Sequence, residues 1–237
     1  MGAEALSALP PLSQVPTDVL EALWQSGTAR QLRHRTHIYQ HGQAPERVCL
    51  LLSGVAFVYT LTLTGQRRIL WLCQPGTVVN PNALTAHPAS AHCEMLTDGQ
   101  VLWVNAKQFS GLMEGCPALL RGVLDMQRGN MLMLGELLQV SSTGVRMEFR
   151  MAFALRVLCE RFGQEGEQGV EIGIPLSVSF LGDLLGIPRE TASRARKALA
   201  QQGLLMSQGR LLTLPDLPGL ERYLARERPE SGILKSE

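Results

Sequence analysis

The residues best suited to chemistry lie in one short stretch, GIPRETASRARKAL, at positions 186–199. On a helix, Arg189, Glu190, Ser193, Arg194 and Lys197 share one side, because residues three and four apart are surface neighbours. Such groups match the edges of DNA bases: arginine pairs bidentately with guanine O6 and N7, and glutamate accepts from cytosine N4. Lysine suits phosphate, which fixes register without reading sequence. Glu190 separates this reading from a plain affinity strip, since an acid facing phosphates gains nothing whereas a base reader can use one. The competing reading is a solvated helix side on which Glu190 pairs with Arg194 four residues on. A membrane-binding strip fits poorly, because the other side is mostly alanine.

The neighbouring segments are the right kind to hold such a helix in place. SVSFLGDLL, 177–185, predicts a short helix that buries Phe180, Leu181, Leu184 and Leu185. Gly186 supplies its C-terminal turn, and Pro188 stands where a second helix begins, its φ already suited to the first helical position. The second helix runs from about 189 to 202, with Ala192, Ala195, Ala198 and Leu199 as its buried stripe. Two helices joined by a glycine-containing turn form a helix-turn-helix. LLMSQGRLLTL, 204–214, then reads as a hairpin turning at Gln208-Gly209, with Arg210 at the tip within reach of a phosphate. Ahead of the pair, RMEFRMAFALRVLCERF (146–162) is an amphipathic helix; GQEGEQG ends it and VEIGIPL reads as a short strand.

Upstream the grammar differs. From Pro117 to about Val140, the positions Leu120, Leu124, Gln127, Met131, Leu134 and Leu138 step by four and three alternately. That is the seam of a two-helix coiled coil, with Gln127 where polar residues fix register. The other reading is an amphipathic helix lying on its own β domain. Gly122, Gly129 and Gly135 weaken the helix intrinsically, so packing must hold it. Between 30 and 105, runs such as VCLLLSG, VAFVYTLTL, RRILWLC and QVLWV are separated by glycine turns, which indicates an antiparallel sandwich or roll. PTDVLEALWQS, 16–26, reads as a helix capped by Thr17 or Asp18. GTVVNPNALTAHPAS, 76–90, is a long irregular insert of the kind that carries binding on a β scaffold.

The bulk properties set limits. With 22 basic and 21 acidic residues the net charge is +1, so nucleic-acid affinity must come from local clustering. Cys49, Cys73, Cys93, Cys116 and Cys159 form no close pair, which suits a reducing cytosol and single buried thiols rather than a disulfide scaffold or a metal cluster. The N-terminus lacks a basic start followed by an apolar core, so no secretory signal is expected. The uncharged run 48–64 is too short and strand-like for a membrane span. A cytoplasmic protein with no membrane partner is therefore expected. No Ser/His/Asp or Cys/His spacing and no phosphate-binding loop suggests an enzyme.

Taken together, SVSFLGDLLGIPRETASRARKALAQQGLLMSQGRLLTL, with Gly182, Gly186 and the R-E-T-x-x-R core, resembles the CRP/FNR family of bacterial transcription regulators. The resemblance implies an α+β chain: a cyclic-nucleotide-binding-like β-roll over 1–116, a dimerisation helix over 117–142 and a winged helix-turn-helix over 143–237. It assigns base contacts to Arg189, Glu190 and Arg194 in a TGTGA-like half-site. Ser193 is similar to a serine of the FNR branch, which leaves a TTGAT-like half-site open. Phosphate contacts fall to Ser177, Lys197 and Arg210, and the partners implied are a palindromic duplex, a second copy of the chain and RNA polymerase. The sensor departs from the cyclic AMP pattern. The G-E-[LI] turn reads Gly76-Thr77-Val78, the R-[ST]-A segment reads Ala89-Ser90-Ala91, and the adenine-contacting pair becomes Leu134-Gly135. An unpaired buried phosphate would be costly, so cyclic AMP is not expected. Cysteine and Cys-x-His patterns for an iron–sulfur cluster or a carbon-monoxide-sensing haem are missing. Haem on other ligands (His34, His37, His41, His87 or His92), another small molecule, a cysteine switch, or no effector stay open. The expected effector pocket comprises Gly76, Asn80, Asn82, Ala89, Ser90, Met131 and Leu134. A helix-turn-helix that serves a protein partner is the competing function.

Overall fold

The computed structural model describes residues 2–141 and 144–226. The chain divides into two compact units, Met1–Leu134 and Gly135–Glu237. The division falls within the long helix α4 (Pro117–Gln139) rather than at either of its ends.

The first unit opens with α1 (Ala3–Ser7), a 3₁₀ turn at Pro10–Leu12, and α2 (Thr17–Gln25). Here one expectation is corrected: α2 starts at Thr17, its N-cap is Pro16, and no side chain caps it. Proline's fixed φ sets the helix entry instead of a hydroxyl or carboxylate. Two antiparallel sheets follow. One orders β1 (Gly27–Leu32), β7 (Gly99–Asn105) and β3 (Arg47–Ser53); the other orders β2 (His37–Tyr39), β6 (His92–Met95), β4 (Ala56–Leu61) and β5 (Arg67–Cys73).

Side chains alternate across a strand, so the unbroken apolar run in β3 must be covered on both faces. Val48 and Leu50 join a core formed with Leu20, Leu23, Phe109 of α3 (Ala106–Gly115), and Leu119 and Val123 of α4. Cys49 and Leu51 point the other way, into a core between the sheets shared with Val58, Cys73, Cys93, Met95 and Val101. At the β3–β4 turn Gly54 has φ +78°, and a Cβ there would lie 2.5 Å from the Asp98 carbonyl. Only glycine fits that turn.

The second unit contains α5 (Met147–Phe162), α6 (Val178–Leu185), α7 (Arg189–Gln201) and α8 (Leu217–Arg226). Its sheet orders β10 (Met206–Gln208), β11 (Leu211–Leu214), β9 (Gly169–Ile172) and β8 (Gly163–Gly166). GQEGEQG does end α5, with Gly163 as its C-cap, and its first four residues also form a strand, β8, paired with β9. All four are exposed, so no alternation marks them in the sequence. Among the described residues no helix is long and apolar enough to cross a membrane.

Candidate nucleic-acid interface

The α6–α7 pair is built by its punctuation. Ser177 is the N-cap of α6, its Oγ accepting from the Phe180 amide at 3.1 Å. Gly186 ends the helix with φ +63°, a left-handed conformation that glycine adopts without strain. The Ile187 amide returns to the Gly182 carbonyl at 3.0 Å. A Cβ on Gly182 would sit 2.9 Å from the Ile187 carbonyl, so the turn folds tightly over this residue. Pro188 is the N-cap of α7, one residue before the first helical position assigned to it from sequence.

Ala192, Ala195 and Leu199 are buried along one side of α7. Arg189, Glu190, Arg194 and Lys197 are exposed on the other, with Ser193 half-buried between them. The Glu190–Arg194 ion pair of the competing reading is not formed; Arg194 Nη2 donates instead to Thr191 Oγ1 at 3.3 Å. The ends of Arg189, Glu190 and Lys197 have no protein partner among the described residues and face solvent. In the wing, Gly209 turns with φ +63° and Arg210 is exposed at the tip. The Arg210 carbonyl accepts from the Leu176 amide at 2.7 Å, which ties the wing to the entrance of α6.

One residue of this unit had no signal read from it. Arg150, on α5, is buried, 7% exposed. Its Nη2 donates to the Leu185 carbonyl at 2.6 Å, at the C-terminal end of α6, and its Nη1 approaches Met147 Sδ at 3.7 Å. Nε is buried with no partner, and burial pushes the guanidinium pKa down. A cation at a helix C-terminus is favourably placed against the helix dipole. The available clue was a charge lying in the apolar stripe of RMEFRMAFALRVL.

On α4, Leu119, Val123, Met126 and Met133 are buried, whereas Leu120, Leu124, Met131 and Leu138 are exposed, Met131 to 73%. Leu134 is half-buried. Gln127 turns inward, its Nε2 donating to the Val78 carbonyl at 3.2 Å, while the Val78 amide donates to Met126 Sδ at 3.4 Å.

The seven expected pocket residues separate. Asn80 and Ala89 line a cavity of about 480 Å³ whose other walls come from β1, β2, β7 and the segment before β3. Asn80 is pinned, its Oδ1 accepting from the Cys49 amide at 2.7 Å and its Nδ2 donating to the Arg47 carbonyl at 2.7 Å. Gly76 packs under Pro11, Asn82 donates to the Pro88 carbonyl, and Ser90 is exposed. Met131 and Leu134 remain on the helix. All five cysteines are buried. Cys49, Cys73 and Cys93 meet in the inter-sheet core, where burial pushes the Cys49 and Cys93 thiols well up. Of the histidines, His37 touches Tyr59 and Glu94, and His41 lies beside His92. Among the described residues no three His, Cys, Asp or Glu side chains are grouped to hold a metal ion.

A two-sheet sensor-like unit followed by a winged helix-turn-helix defines a two-part DNA-binding regulator. Residues 29–116 match the cyclic nucleotide-binding domain model and 150–223 the Crp-like helix-turn-helix domain model. The anaerobic regulatory protein of Haemophilus influenzae is 23% identical over 198 residues, 84% of this chain and 77% of that protein. The nitrogen fixation regulation protein FixK of Azorhizobium caulinodans is 26% identical over 219 residues, 90% of this chain and 80% of that protein. The solved structure of FixK2 from Bradyrhizobium japonicum superposes with a TM-score of 0.70 at 25% identity, covering 83% of this chain and 96% of that one. The chain belongs to the CRP/FNR family of bacterial transcription regulators. It is a transcription regulator with a helix-turn-helix DNA-binding domain.

Proposed function

We propose that the protein acts in the cytoplasm as a homodimer on palindromic duplex DNA, with Arg189, Glu190, Ser193 and Arg194 on base edges. Lys197 and Arg210 hold phosphates, and the Ser177 hydroxyl, which caps α6 only as an acceptor, keeps its proton to donate to another. The observation that carries this reading is the outer side of α7. There an acid and several cations stand exposed without the internal ion pair that a solvated helix would be expected to make. Dimerisation is supported by the exposed row of Leu120, Leu124, Met131 and Leu138, since an apolar stripe of this kind on a monomer is an interaction surface. Two-fold protein symmetry then calls for two half-sites about one helical turn apart. The effector is a molecule other than cyclic AMP, or the protein acts without one, because Thr77, Val78 and Ala89 bring no charge to a cyclic phosphate. The protein regulates transcription together with RNA polymerase and has no catalytic role.

The test is selection of a binding site from random duplexes, followed by gel-shift titration. Arg189→Ala should lower affinity for the selected palindrome by about 1–3 kcal/mol and relax one base position, leaving random-duplex binding nearly unchanged. Lys197→Ala should weaken both duplexes and lower the salt slope by about one. An unchanged preference for the palindrome in Arg189→Ala would overturn the assignment.

A further inference from the structure

From the cavity beside Asn80 and Ala89, we propose that the first unit holds a small organic anion with a flat apolar body, seated on Trp103 between Arg30 and Arg47. The proposal rests on reading this unit as the sensor, but its site lies apart from the insert–helix contact at Val78.

The strand register builds the site. On β7, Trp103 faces Thr28 of β1 on one side and Cys49 of β3 on the other. Arg30 is two residues beyond Thr28 and Arg47 two residues before Cys49, so alternation puts both on the same sheet face as Trp103. They pair with Val101 and Asn105, on opposite sides of Trp103 along β7. Trp103 is thus flanked diagonally in the sheet by two arginines. Both arginines, Trp103, Ile38 and Tyr39 line the same cavity of about 480 Å³, within the range of small-molecule sites.

The charges lack internal compensation. Among the described residues neither guanidinium has an ion pair or hydrogen-bond partner. Glu46 also lines the cavity but lies beyond ion-pair distance of both arginines. Both arginines are exposed and line the cavity, so their guanidinium groups are available to an anion seated there. Guanidinium groups supply planar forks for a carboxylate or phosphate. The floor is fixed: Tyr39 donates to the Val79 carbonyl at 3.0 Å and Asn80 is held at both ends of its amide. A pinned polar floor, an aromatic platform and two unpaired cations select an anionic aromatic over a neutral one.

Isothermal titration of the purified full-length chain with phenyl phosphate, 2-naphthoate and inorganic phosphate, with benzyl alcohol as neutral control, tests this. The aromatic anions should saturate at one per chain, inorganic phosphate should bind more weakly, and benzyl alcohol should not bind. Arg30→Gln and Arg47→Gln should each weaken the aromatic anions about tenfold. Trp103→Leu should weaken them without altering inorganic phosphate. The arginines keep solvent contact at the mouth, so their variants should melt as the parent does. Absence of saturable binding by both aromatic anions, equal binding by the double arginine variant, or saturation only by a short polyglutamate peptide would each overturn the proposal. DNA binding by the double variant separates the outcomes. Retained palindrome binding leaves the regulator intact whatever the cavity does.

Discussion

Replacing Arg150 by methionine sets two energies of similar size against each other. The lost interaction is a charge-assisted hydrogen bond to the Leu185 carbonyl at 2.6 Å, worth about 1.5–3 kcal/mol. Relief comes from no longer burying a guanidinium whose Nε is unsatisfied, a penalty of about 1–3 kcal/mol. Methionine fills most of the volume, so the net stability change should stay within about 1 kcal/mol, or a melting shift below about 8 °C for a unit of this size. The effect on DNA should be larger. Arg150 ties α5 to the last carbonyl of α6, one residue before the turn that aims Arg189 and Glu190. Without it, affinity for the selected palindrome should fall about tenfold or more, while random-duplex affinity, which needs only charge, stays nearly constant. Thermal melting and paired gel-shift titrations measure the two effects. A loss of stability would lower both affinities equally, so their ratio isolates positioning. In Arg150→Ala, millimolar guanidinium ion should restore part of the ratio. An unchanged ratio in Arg150→Met, or a melting drop that accounts for all the lost binding, would refute the reasoning.

Four further outcomes are expected. Leu124→Glu with Met131→Glu places charge on an exposed apolar row, so sedimentation should report a folded monomer that melts below the dimer; a persisting dimer would locate the interface elsewhere. Gly54→Ala forces φ +78° on a residue with a Cβ and drives it toward the Asp98 carbonyl, costing about 1–3 kcal/mol by denaturant titration. Burial, then His41, His37 and Arg67, hold the His92 imidazole below its ordinary 6.5. The unfolded chain therefore takes up this proton first as pH falls, so stability should decline below pH 6.5 until the folded imidazole also titrates, and His92→Asn should flatten that decline. Glu190→Gln should relax specificity at one base position without changing the salt slope, since the residue contacts no phosphate.

Features set by local rules were legible in the sequence. The helix-turn-helix could be read because Gly186, Pro188 and the alanine stripe each have one conformational meaning. The β region showed itself through its glycine turns, and the α4 helix through its apolar steps of three and four. What escaped depends on distant partners. Arg30, Arg47 and Trp103 become neighbours only once β1, β3 and β7 pair. Cys49, Cys73 and Cys93 share a core although spaced as isolated residues. Arg150 stands in the apolar stripe of α5, but its partner, the Leu185 carbonyl, is set only once α6 packs beside it. Gln127 falls in the seam by spacing, yet its amide reaches the carbonyl of Val78. β8, exposed throughout, offers no periodicity at all.

Val78 also forms an isolated β-bridge with Leu50, so one residue joins the β3 strand to the α4 helix through its own backbone. The inner stripe it grips (Val123, Met126) and the outer stripe (Leu124, Met131) differ by one residue or so, about 100° of arc. On so narrow a cylinder the two stripes are not independent surfaces. A roll of the helix that loosens Val78 also re-aims Leu124 and Met131, making the helix an axle rather than a partition.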